Sequence, residues 1–173
     1  MYPSSYILFL SYFHGNRDYF ECHEVLEEYW KSPEGNSEKI WVGLIQTAVG
    51  FYHYRRGNLT GAKKMFNKSK QTLLPEMSSL ETLGLDAEHY FKLLDEQIKK
   101  IENNLPYESV NLPIQDKTLL TACKKVCEQN HWTFGAASVL PPAEIIHKHK
   151  LRDRSDVEES RKKAIKQKRK SPY

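Results

Sequence analysis

The residues with the most chemistry in them are in the stretch DYFECHEVLEEYW, positions 18 to 30, where His23 and Glu27 lie four residues apart with Glu24 beside them. At 100° per residue, His23, Tyr19, Phe20, Leu26, Glu27 and Trp30 share one face of a helix, with His23 at its centre. The expected buried stripe is therefore aromatic and aliphatic, yet carries an imidazole and a carboxylate. Such a pair supports three chemistries. It can chelate a divalent metal from one helix, as in bundle metal sites. It can exchange protons as a general acid and base. Or it can be a hydrogen-bonded lock that fixes packing. An unpartnered carboxylate in that setting is costly, or has its pKa raised, so Glu27 needs a partner and His23 is the nearest. The zinc-protease pattern H-E-x-x-H is excluded, because position 27 is Glu.

The next long apolar segment, EKIWVGLIQTAVGFYHYRR, offers further polar groups. Gln46 and His53 fall on one flank of its expected helix, beside Gly43 and Gly50. Glycines at that position either admit a second helix closely or leave room for something small. If the two helices are antiparallel neighbours across the short turn SPEGNS, then His23, Glu24, Glu27, Gln46 and His53 converge. No cofactor is strongly implied, although His23, Glu27 and His53 could hold a divalent metal. Phe20, Trp30 and Tyr52 would line an aromatic groove, with Gly43, Gly50, Asn58 and Gly61 allowing its helices to pack.

The elements that must position these residues are helical. Pro3 opens a first apolar helix, which lacks the basic start and small-residue cleavage site of a signal peptide. Asp18 caps the helix running to Lys31, with Glu21 completing a capping box. Asn36 or Ser37 is expected to cap the next helix, which ends at Gly57. Asp86 and Asp116 open two more, separated by the extended LPYESVNLP, which Pro106 and Pro113 keep out of helix. Convincing strand alternation is nowhere present, so the class is all-α: a compact multi-helix bundle with a charged C-terminal helical arm. Gly50, Gly57, Ala62, Phe66 and Pro75 sit near the small, turn, packing and stop positions of a tetratricopeptide-like hairpin. Without a second copy, that hairpin belongs to a bundle and not a solenoid.

The chain has 173 residues, 39% hydrophobic and 28% charged, enough for one substantial core and ordinary for a globular protein. No run is apolar enough to span a bilayer. Three cysteines, an odd number, point to a reducing cytoplasm without a disulfide framework. The net charge of +4 is a property of the tail: residues 147–173 hold eleven Lys/Arg against four Asp/Glu, and the remainder is slightly acidic. The expected organisation is a helical core over 1–105, a connector and an added helix over 106–146, and a basic arm over 147–173, partly flexible.

FECHEVLEEYW followed by GLIQTAVGFYHYRRGNLTGA closely resembles the hallmark stretches of domain-of-unknown-function family 309, small all-helical prokaryotic proteins. IIHKHKLRDRSDV resembles the C-terminal arm of its longer Bacillus-type members. The resemblance covers about residues 9 to 75. It carries the family's positions onto Phe20, Glu21, His23, Glu24, Glu27 and Trp30, then Gly43, Leu44, Gln46 and His53, then Asn58, Gly61 and Ala62. It implies a helical fold in a cytoplasmic bacterial protein. It implies no reaction, because the family has none assigned.

Other constellations are better read as structure. Cys123, Cys127 and His131 share a helical face, but lack the tight spacing of zinc knuckles, and buried thiols are expected. Cys22 sits on its stripe's edge without an activating base. The run RKKAIKQKRK suits a solvated tail better than a nucleic-acid site. The arm is expected to dock through Ile145, Ile146 and Leu151, with Arg152 and Arg154 reaching the acidic 18–38 stretch, on its own core or on a neighbouring chain. The leading functional expectation is a binding or scaffold protein, using the groove and arm for protein partners or self-association. A metal-binding protein or enzyme comes second, for which a concave pocket where these side chains converge, with a raised Glu27 pKa or a bound ion, would be the sign. Nucleic-acid binding through the tail comes third.

Overall fold

The computed structural model describes residues 1–136 and 143–148. Among these the regular structure is helical, apart from one isolated antiparallel bridge, Leu85 to Ile114. Helix α1 (Ser4–His14) follows Pro3 and is the most apolar element; its Tyr6, Phe9, Leu10 and Phe13 are fully buried. That explains its central place. Helix α2 (Tyr19–Lys31) packs on α1 and on α3 (Lys39–Arg55), and α3 packs against α4 (Leu59–Leu73). A 3₁₀ turn (Leu74–Glu76) and short α5 (Met77–Thr82) lead to α6 (Ala87–Glu102), which lies on α4. Helix α7 (Lys117–Gln129) returns to α1, and α8 (Ala143–Ile146) is a single turn.

The helix starts follow their caps. Asp18, Asn58, Asp86 and Asp116 accept from the backbone N–H of Glu21, Gly61, His89 and Leu119 at 2.8 to 3.0 Å, each satisfying an otherwise orphaned donor. The expected cap at Asn36 or Ser37 is corrected. Both residues have left-handed backbones (φ 49° and 53°) inside the turn, and α3 starts one residue later, after Glu38, which makes no side-chain cap. The capping box is also incomplete in one respect: Glu21 bonds Lys148.

Helices α3 and α4 form a tight antiparallel hairpin, turned by Gly57 at φ 79°. The two seam glycines serve close approach: a Cβ at Gly50 would stand 2.7 Å from the Phe66 ring, and one at Gly43 would strike Leu73. A buried hydroxyl chain stitches this seam to α6. Tyr90 donates to Thr47 Oγ1 (2.6 Å), Thr47 pairs with Ser69 (2.8 Å), and Ser69 donates to the Gly43 carbonyl (2.8 Å).

The extended segment 106–114 threads over the core. Leu112 is buried, and its N–H donates to His14 Nε2 at 2.9 Å. Arg17, almost wholly buried, donates to the Val110 carbonyl, Asn111 Oδ1 and the Ala136 carbonyl. The Tyr19 and Tyr107 hydroxyls pair across the same seam. Cys123 and Cys127 on α7 are buried against α1. The start of the arm docks in cis: Lys148 bonds Asp18 at 2.9 Å and Glu21 at 2.7 Å, with Ile145 and Ile146 half-buried. Leu151, Arg152, Arg154 and the basic run lie outside the described residues.

Candidate functional site

Helices α2, α3 and α4 enclose a cavity of about 560 Å³, open on one side. His23, Glu27 and Trp30 form its α2 wall, and Met65, Lys68, Gln71 and Thr72 its α4 wall. The floor is α3, with Val42, Ile45, Gln46 and Val49, and Lys39 stands at its start. Helix α3 lies between α2 and α4, so its inner side packs the core while its outer side floors the cleft.

His23 and Glu27 are therefore on a rim and not at the centre of a buried stripe. Their side chains are 31% and 32% exposed. The buried line of α2 is Tyr19, Cys22 and Leu26, with Cys22 fully enclosed where the sequence placed it on an edge. The reason is physical. Helix α2 is gripped by α1 as well as α3, so its apolar face turns toward Cys22, and Phe20 and Trp30 become half-buried flanks. Phe20 rests against Tyr52 and the His23 ring, with centroids 6.1 Å apart in each case.

The ionic chemistry of the rim is settled. His23 Nε2 meets Glu27 Oε2 at 2.7 Å, and its Nδ1 meets Glu24 Oε1 at 3.3 Å. Glu27 Oε1 takes Lys31 Nζ at 2.7 Å. Burial alone would discharge the imidazole, but the hydrogen bonds and negative charges of Glu24 and Glu27 outweigh it and push its pKa up to about 9. The His23 hydrogen bond, opposed by burial and helped by Lys31, pulls the Glu27 carboxyl down to about 2. The expected sign of an acid catalyst, a raised Glu27, is thus reversed: both members are ionised across the neutral range.

Gln46 joins His23 in the cleft as expected, and its Oε1 is closed off without a hydrogen-bond partner. His53 does not join them. Seven residues along a helix is roughly 10 Å of rise, so two residues on one flank stand at different depths. His53 faces Asn58 (Nδ1 to Nδ2, 3.3 Å), and burial and the neighbouring Arg56 lower its pKa. Among the described residues no group of three or more His, Cys, Asp or Glu side chains is arranged to hold a metal ion, and His53 does not line the cleft with His23 and Glu27, so the expected His23, Glu27 and His53 set is not assembled. The donor set on the rim also argues against it, since both imidazole nitrogens are already spent on carboxylates. Asn58 and Gly61 make the α4 cap, and Tyr52 lies under the Arg56 guanidinium at 5.3 Å.

The sequence reading missed a second histidine. His14 is fully buried: its Nδ1 donates to the Leu10 carbonyl at 2.7 Å, Nε2 accepts from Leu112, and the ring stacks on Phe134 at 4.7 Å. Burial lowers its pKa to about 4. The available signal was its place in the apolar run YILFLSYFH, one turn beyond Leu10. The cysteines offer no nucleophile, because burial raises the pKa of all three, that of Cys123 to about 12.

The family model described as "Domain of unknown function (DUF309)" matches residues 6–65, which hold most of α1, all of α2 and α3 and the first half of α4. A curated relative, the "Uncharacterized protein YpuF" of Bacillus subtilis (strain 168), is 45% identical over 172 residues, covering 99% of each chain. No solved structure matches the chain.

Proposed function

The chain belongs to the DUF309 family, for which no activity is established, and from its own geometry we propose that it is a binding protein whose α2–α3–α4 cleft receives a small ligand. The observation that carries this is the cavity itself. About 560 Å³, with a floor that is apolar apart from Gln46 and walls that mix Trp30 and Met65 with polar side chains, is the size of a small-molecule site. The settled charges of His23 and Glu27 favour binding over turnover, since a general acid–base pair works best with pKa values near the working pH. The cavity's size narrows the earlier expectation of a protein partner or second copy to something that fits a pocket and does not lie along a groove. A cytoplasmic setting goes with this reading, supported by three free, buried thiols. Among the described residues no helix is long and apolar enough to cross a membrane.

Mapping with a library of small aromatic and aliphatic fragments tests it, followed by NMR of the side-chain methyls. Fragments are expected to move the Val42, Ile45, Val49 and Met65 methyls before any others. Shifts scattered over the surface, or gathered elsewhere, would refute the cleft as the receiving site.

A further inference from the structure

We infer that the protein holds a small oxyanion from solution, a phosphate or a carboxylate, on one edge of the Arg55 guanidinium, where the end of α3 meets the start of α2. The place is separate from the cleft, which neither Arg17 nor Arg55 lines. Arg17 has a left-handed backbone (φ 56°), uncommon for a residue with a long side chain. Its carbonyl accepts from Arg55 Nη1 at 2.6 Å, and the Arg55 guanidinium lies 4.5 Å from the centre of the Tyr19 ring. The bond and the ring together hold the group in place. Its other two donors, Nε and Nη2, are both buried and have no hydrogen-bond acceptor. Arg17 Nε is a third donor of the same kind.

Charge makes this more than a packing defect. Arg17 is 2% exposed, and its hydrogen bonds all go to neutral acceptors, the Val110 and Ala136 carbonyls and the Asn111 amide. Both arginines stand close enough to Tyr19 for their charges to act on its phenol. Among the described residues no carboxylate pairs with Arg17, Arg55 or the neighbouring Arg56. Asp18, next in the chain, is already taken by the Glu21 N–H and by Lys148. A buried cation without a counter-charge is costly. The Nε–H and one N–H of Nη2 point the same way from one edge of a guanidinium, the geometry that grips two oxygens of a carboxylate or phosphate. A water molecule can accept from that edge but brings no charge, so the cost stays. Arg55 is only half-buried, which keeps the edge near the surface and favours a small ion over a bulky ligand.

Inorganic phosphate is the probe, added to the full chain at neutral pH and constant ionic strength while NMR follows the arginine Nε–H signals. The Arg55 Nε–H is expected to shift saturably at millimolar phosphate, and the melting temperature to rise with it. Arg55→Lys keeps the charge but loses the two-pronged edge, and is expected to weaken phosphate binding about tenfold. Lys68→Gln, which removes an exposed cation elsewhere, is expected to leave binding unchanged. The wild-type Arg55 signal needs no variant, so the test stands even where Arg55→Lys melts early. An Arg55 Nε–H that ignores phosphate would overturn the proposal, and so would binding that Arg55→Lys and Lys68→Gln weaken equally. Asp153 and Asp156 follow Lys148 in the chain and lie outside the described residues. Phosphate taken up only by an Asp153→Asn/Asp156→Asn variant would overturn a free anion as the ligand and give the edge to the chain's own carboxylates.

Discussion

His14 and His23 lie nine residues apart, and their environments drive them to opposite charge states. His14 has a backbone carbonyl at one nitrogen and a backbone N–H at the other, under a phenylalanine ring. One donor and one acceptor define a neutral tautomer, and a proton added to Nε2 would face the Leu112 N–H. His23 has a carboxylate at each nitrogen and keeps a third of its surface in water. Two acceptors define an imidazolium. The comparison teaches that a histidine's role follows from what meets its two nitrogens more than from the polarity of its helix face. The first is a fastener of the core, and the second a fixed charge at the edge of a binding cleft.

The sharpest way to break the comparison is at the core histidine. His14→Ala removes two buried hydrogen bonds and a ring stack, and is expected to cost roughly 3 kcal/mol in urea unfolding. A smaller loss, of about 1–3 kcal/mol, is expected for Gly50→Val, whose new side chain must displace the Phe66 ring. Asp18→Ala is expected to cost about 1–2 kcal/mol, because the cap of α2 and the Lys148 pair are lost together. At the rim, Glu27→Gln removes only a part-exposed ion pair. It is expected to change stability by less than about 1 kcal/mol while moving the His23 pKa down.

The two histidines also bend the pH dependence in opposite senses. The folded His14 pKa is below that of the unfolded chain, so between about 6.5 and 4 the unfolded state binds a proton that the folded state refuses. Stability is expected to fall as pH drops through that window, by up to roughly 3 kcal/mol. His23 is raised, so its contribution is complete below about 6.5 and lost as pH rises through about 9. The lowered Glu27 contributes fully above about 4.5 and fades as pH falls toward 2. Urea midpoints across pH 4 to 10 should show a maximum near pH 6.5 with a fall on each side. In His14→Ala the acid-side fall should shrink.

Much of this architecture is legible in the residues. Asp18, Asn58, Asp86 and Asp116 announce their helices because a short side-chain acceptor before an amphipathic run has one favourable use. Gly43 and Gly50 announce a seam for the same reason of limited choice. The angular centre of α2 was not legible: a wheel counts aromatic residues as buried, whereas Phe20 and Trp30 serve as flanks, and two neighbouring helices pull the axis of burial toward Cys22. Gln46 and His53 coincide on the wheel, but the wheel discards the rise that separates them. His14 and Arg17 escaped notice because their partners, Leu112, Val110 and Asn111, come from an extended segment nearly a hundred residues away. Only the packed chain shows that meeting.

The measurement closest to the central claim is an NMR titration of the histidine rings in the full chain, with His23→Gln and His14→Gln used for assignment. The account predicts that His23 stays charged past pH 8, with a midpoint near 9, while His14 stays neutral below pH 5. A His23 midpoint near 6.5 would contradict it. Such a histidine could trade protons with Glu27 at neutral pH, and the cleft would have to be read again as a place for acid–base chemistry.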